Sequence, residues 1–186
     1  KKAGKLYLVL TRYDVKRLRE TGHATVVSIK NSLRLTDRVK LRSSLSAVDS
    51  KSGSASNSYL TGGLSADIKI DKKVRGIISL RRSPYLDTAT LIRNNIRVNS
   101  LSGTIIYDKK RTTISGSVGF NDFSDSNSSY SLRANIARTL VKEPDYTITG
   151  GYIPEYREFS KKTSSGYYNP KKVFSNDLYL NIKGYY

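Results

Sequence analysis

One pattern constrains this chain more than any other. Along nearly its whole length, apolar or small residues alternate with polar ones. From Val74 the even positions read Val74, Gly76, Ile78 and Leu80, and the odd ones include Arg75, Ser79 and Arg81. A period of two puts successive side chains on opposite faces of a strand. The chain is therefore read as a set of two-faced strands. The polar face is strongly basic, and the apolar face has no partner in the sequence.

The period marks about ten strands: 5–13, 23–35, 38–48, 59–70, 74–82, 100–108, 111–122, 129–140, 146–156 and 173–186. The charged stretch 14–22 reads as a turn or exposed loop. The Ser/Gly/Asn-rich stretch 49–58 reads as a mobile loop. Residues 85–97 fit either a short helix or irregular segment after Pro84, or, less well, a strand. Short links at 71–73, 109–110 and 143–145 alternate with longer ones at 49–58, 123–128 and 157–172. Consecutive strands with such links imply an up-and-down antiparallel meander.

Composition narrows what the meander can be. Hydrophobic residues make up 37% of the 186 positions, below the roughly 45–50% of an ordinary globular domain. No apolar stretch reaches the ~20 residues of a membrane-crossing helix. Strands of this length do suit a tilted crossing by β-structure, which takes ~9–11 residues. Tyr59, Tyr107, Tyr130, Tyr146, Tyr156 and Tyr186 fall near strand ends, as an aromatic girdle at a lipid–water boundary does. The expected fold is all-β: an antiparallel up-and-down meander forming a transmembrane β-barrel or part of one. It is one domain over 1–186. With no methionine, the chain reads as a mature protein or a piece of a larger one.

Lys and Arg total 33 against 15 acids, a net charge of +18. Such a charge attracts polyanions. Lys30, Arg34, Lys40, Arg42, Lys69, Arg75, Arg81, Arg133 and Lys183 all fall on the polar parity of their strands. In a barrel they would line the pore and favour anions. A passive conduit for an anionic solute or acidic polysaccharide follows as the expectation. Two other readings stand beside it: a soluble basic sheet binding nucleic acid or an acidic glycan, and a structural anchor for a periplasmic assembly. Tyr7, Tyr13 and Tyr179 lie on the polar parity, but most other tyrosines follow the apolar face, which weighs against nucleic acid.

No catalytic constellation, metal site or cofactor motif is expected. His23 stands alone, and the chain has no cysteine. Asn121, Asp122, Asp125 and Asn127 lack the spacing and glutamate of a calcium loop.

Three segments carry a family resemblance: RRSPYLDTATLIRNNI (81–96), FNDFSDSNSSYSLRANIARTL (120–140) and GYYNPKKVFSNDLYLNI (166–182). In order and spacing they resemble the C-terminal outer-membrane barrels of bacterial exopolysaccharide export proteins that carry tetratricopeptide repeats. The resemblance covers a little over half of the chain. It implies a location in the bacterial outer membrane, contact with membrane lipids and lipopolysaccharide, and polysaccharide as cargo. It also implies a periplasmic repeat domain or other envelope subunits as partners. No such repeats lie within these residues, so that scaffold would be outside them.

Overall fold

The computed structural model describes residues 4–17 and 20–184. Ten strands follow one another: β1 (Gly4–Arg17), β2 (Glu20–Arg34), β3 (Val39–Ser52), β4 (Ala55–Lys69), β5 (Val74–Pro84), β6 (Arg97–Lys109), β7 (Thr112–Phe123), β8 (Ser128–Lys142), β9 (Tyr146–Phe159) and β10 (Lys172–Gly184). One helix, α1 (Ala89–Arg93), lies between β5 and β6. Each strand pairs antiparallel with the next, so sheet order equals chain order.

The expected barrel is not what forms. Among the described residues β1 pairs with β2 and not with β10, and β10 pairs with β9. The sheet is open, with backbone hydrogen-bonding groups along two outer edges. It is nevertheless curved. Lys5 and Tyr7 of β1 line the same concavity as Arg42 of β3, Arg81 of β5 and Ser131 of β8.

The two parities become two different surfaces. Ladder partners share a face, so the pairs Leu33↔Leu41, Leu64↔Leu80, Leu80↔Leu101 and Val118↔Leu132 trace one continuous apolar side. That side is convex and bare: Leu8 is 75% exposed and Leu178 is 85% exposed. A folded domain normally turns such residues inward, and an apolar patch of this extent marks a contact surface. Most polar strand residues line the concave side, while Arg82, Asn99, Asp122 and Arg138 share the parity of the convex one.

Several boundaries differ from the expectation. Residues 49–52 and 55–58 continue β3 and β4, so the expected loop is a two-residue turn at Gly53-Ser54, with Gly53 at φ 59°. Its Ser/Asn composition disguised strand, because here both the concave side and the rim are hydrophilic. The charged stretch 14–22 is also largely strand, β1 running to Arg17 and β2 from Glu20. Residues 85–97 do contain the short helix. Thr88 caps it by accepting from the Leu91 N–H at 3.2 Å, and Asn95 at φ 52° ends it.

Two long connections, 85–96 and 160–171, lie at one rim, with the turns at 53–54 and 124–127. The opposite rim has the turns 35–38, 70–73, 110–111 and 143–145. Nearly all buried apolar contact is at the long-loop rim. Leu91, Ile96, Val98, Phe123 and Phe159 form one cluster, flanked by Tyr85 and Tyr167. Ala24, Val48, Ala89 and Ile92 complete the buried apolar side chains of the described residues. This is a small core for so many strands, and it sits beneath the loops rather than between layers.

The candidate functional site: a basic concave face capped at one rim

The antiparallel register decides which side chains meet in the concavity, a space of about 940 Å³. Lys5 pairs with Ser32, Tyr7 with Lys30, Lys30 with Ser44 and Arg34 with Lys40. Arg42 pairs with Ser65, Lys69 with Arg75, and Gly63 with Arg81. Further round, Ser117 pairs with Arg133 and Thr147 with Lys183. All nine cations singled out from sequence therefore lie on the concave face.

The register also reveals an asymmetry that single-strand patterns hide. On β1–β5 the concave face carries Lys5, Lys30, Arg34, Lys40, Arg42, Lys69, Arg75 and Arg81 against Asp67. Asp67 accepts from Arg42 Nη2 at 3.1 Å. On β6–β10 the same face carries Arg133, Lys142, Arg157 and Lys183 against Asp108, Glu155 and Asp177, the register shift after Thr139 turning Lys142 to the side of Thr147. One half of the trough is strongly cationic and the other is close to balanced.

Between the charges the lining is hydroxyl and amide. Ser28 and Ser46 are 2.8 Å apart, and Thr104 and Ser117 are 3.0 Å apart. Ser100 donates to Asn121 at 2.7 Å, and Asn121 donates to Ser129 at 3.1 Å. Such groups exchange hydrogen bonds with water or with a hydroxyl-rich solute at little difference in enthalpy.

At the long-loop rim the connections pack against the strand ends. Helix α1 packs on β2 and β3; a Cβ at Gly22 would come within 2.9 Å of Ile92 Cδ1. Asn57 donates to the Ile92 carbonyl at 3.3 Å and fastens the helix end to β4. Thr88 donates to the Gly166 carbonyl, and Asn94 to the Ser165 carbonyl, joining both long connections. Tyr167 stacks on Phe123 with ring centroids 4.9 Å apart and planes 11° apart.

Asp125 and Asn127, in the β7–β8 turn, are the polar part of this cap. Asn127 donates to the Tyr167 hydroxyl at 2.9 Å and accepts from the Ser128, Ser160 and Lys161 donors at 2.9–3.0 Å. Burial works against the Asp125 carboxylate. Hydrogen bonds from Ser165, Tyr167, the Asn127 N–H and Thr163 outweigh it and hold its pKa below the ordinary aspartate value. Burial pushes the Tyr167 hydroxyl up, with Asp125 adding to the effect. The Asp125 carboxylate is thus engaged with protein donors. Among the described residues no group of three or more His, Cys, Asp or Glu is placed to hold a metal.

The expected aromatic girdle is partly displaced. Tyr107, Tyr130, Tyr146 and Tyr156 lie on the convex side near strand ends. Phe120 joins them, 5.0 Å from Tyr130, as does Phe174, the ladder partner of Tyr156. Tyr59 does not. It pairs with Val48 on the concave side, beneath the Arg97 guanidinium at 5.7 Å. Its parity follows from Leu60 facing the other way; nearness to a strand end was the wrong criterion. Tyr186 lies outside the described residues. Sequence reading missed Glu155 and Arg157, where neighbouring apolar residues obscure the alternation, and Tyr168, which is in a loop.

The fold is similar to that of a solved structure, a bacterial polysaccharide outer membrane secretin, with a TM-score of 0.57 and 17% identity. The match covers 83% of this chain and 61% of the other, so this chain spans about three fifths of its length. No family model and no curated protein matches the sequence. The similarity supports the meander architecture and does not single out the repeat-bearing exporters.

Proposed function

We propose that this chain works in the bacterial outer membrane, in the export of polysaccharide. Its convex face meets lipid acyl chains. Its concave face gives passive passage to an anionic polysaccharide or another anionic solute. The separation of faces carries this reading: aliphatic side chains left bare on one side, Lys, Arg, Ser and Asn on the other. Lipid is the one solvent in which the bare face is stable and the basic face needs water. Aromatic residues near both ends of the convex face support it, since such rings favour the headgroup level. So does the fold's similarity to a polysaccharide outer membrane secretin.

Hydrocarbon does not solvate peptide groups. In that setting the outer backbones of β1 and β10 are met by hydrogen-bonding partners beyond these residues. The sequence resemblance to repeat-bearing exporters adds a periplasmic helical scaffold to the proposal. The role is passage rather than catalysis.

The test is co-flotation of the full chain with phospholipid vesicles, followed by binding of a polyuronate oligosaccharide. The reading expects stable association that resists high salt, and polyuronate binding that weakens with salt. A chain that stays soluble and monomeric without lipid or detergent contradicts it and favours the soluble basic sheet.

A further inference from the structure

The β6–β10 half of the concave face contains a small recess at its long-loop end. Glu155, Arg157 and Phe159 of β9 and Val173 and Ser175 of β10 form it with Tyr168 of the 160–171 connection. Its volume is about 180 Å³, below the ~300 Å³ at which pockets for drug-sized ligands begin, and of the order of one sugar ring. Tyr167 turns inward to stack on Phe123, while its neighbour Tyr168 is left 79% exposed. An aromatic ring held open beside a recess offers a flat apolar face with a polar tip.

Beside the ring lies a fixed ionic pair. Arg157 Nη2 donates to Glu155 Oε1 at 2.6 Å. Glu155 Oε2 is 4.0 Å from Arg133 Nη1, too far for a hydrogen bond. That oxygen can therefore accept from a ligand hydroxyl. A carboxylate with an open oxygen next to a guanidinium suits the alternating donors and acceptors of a polyol. Both nearby guanidiniums, Arg157 and Arg133, face Glu155, so the recess offers an acidic ring no uncommitted cation.

We propose that this recess is a subsite for one neutral pyranose ring, stacked by its C–H face on Tyr168 with hydroxyls on Glu155 and Arg157. The inference rests on the polysaccharide reading above and refines it. The polymer's acidic groups lie toward β1–β5, and an uncharged ring of the same chain is read at β9–β10.

The test uses the full chain in detergent with two probes, a neutral hexaglucan and a hexagalacturonate. The protein has no tryptophan, so Tyr168→Trp introduces a single indole at the site. Tyr168→Ala should weaken hexaglucan binding about tenfold, the worth of one aromatic stacking contact, with unchanged far-UV circular dichroism. Tyr168→Trp should retain binding, and its emission should shift on adding hexaglucan. Wild-type affinity for hexaglucan in Tyr168→Ala, or an unmoved indole, overturns the subsite and leaves the export reading standing. Binding of neither probe by the wild-type chain overturns both.

Discussion

Gly151 and Tyr179 are ladder partners on the concave face, and the Tyr179 ring lies where a side chain at residue 151 would stand. The ring crosses the bare backbone of β9, and its hydroxyl donates to Asn135 Oδ1 on β8 at 3.3 Å. One side chain on the edge strand β10 thereby reaches across β9 to β8. Gly151→Val should expel the ring, break the link to Asn135 and destabilise the chain by about 1–3 kcal/mol, the usual cost of overpacking. Thermal or denaturant unfolding in detergent measures it. Tyr179→Phe, which removes only the hydroxyl, should cost about 1 kcal/mol.

The cap should open in acid. The Asp125 pKa is depressed in the folded chain, so its contribution is present above the unfolded value and is lost as pH falls through the folded one. Below about pH 4, where a free aspartate protonates, the 160–171 connection should begin to loosen. Limited proteolysis or hydrogen exchange along a pH series reads this directly. Asp125→Asn should weaken the cap already at neutral pH and flatten the acid response.

The rim core should behave as a local unit. Leu91 is 1% exposed within the aromatic cluster, and burial of this kind makes Leu→Ala cost about 2–5 kcal/mol. α1 sits in a connection, so Leu91→Ala should raise hydrogen exchange in 85–96 and 160–171 while the strand ladders keep their protection. Uniform loss of protection through β1–β10 would instead make the cap part of one cooperative unit.

The charged half of the trough should dominate binding of polyanions. Lys30, Lys40 and Arg81 all line the concavity. Replacing the three with alanine should weaken hexagalacturonate binding and flatten its salt dependence. Arg133→Ala, on the nearly balanced half, should have a smaller effect. Calorimetric titrations at two salt concentrations separate the cases.

Much of this architecture is legible in the alternation. Val74–Leu80 and Arg111–Asp122 declare themselves as strands because every second residue changes character, and the same parity puts Lys30 and Arg133 on one face. Closure is not legible. Whether the first strand meets the last depends on curvature accumulated over ten strands, which no local pattern encodes. Nor is the cap: Phe123, Phe159 and Tyr167 come from three separate stretches, and each looks like an ordinary strand-end or loop aromatic. The charge asymmetry needed the register, since Lys69 and Arg75 become neighbours only through their hairpin. Residues 49–58 were hidden by composition, because a strand whose polar face is serine resembles a loop.

The central claim is that lipid covers the convex face and water the concave one. Ser131 and Leu132 are consecutive on β8, the first lining the concavity and the second 58% exposed on the convex side. The chain has no cysteine of its own, so Ser131→Cys and Leu132→Cys each carry one thiol. With the protein in lipid vesicles, a water-soluble thiol reagent should label Ser131→Cys readily and leave Leu132→Cys unlabelled until the chain is unfolded. Equal labelling of the two would contradict the account.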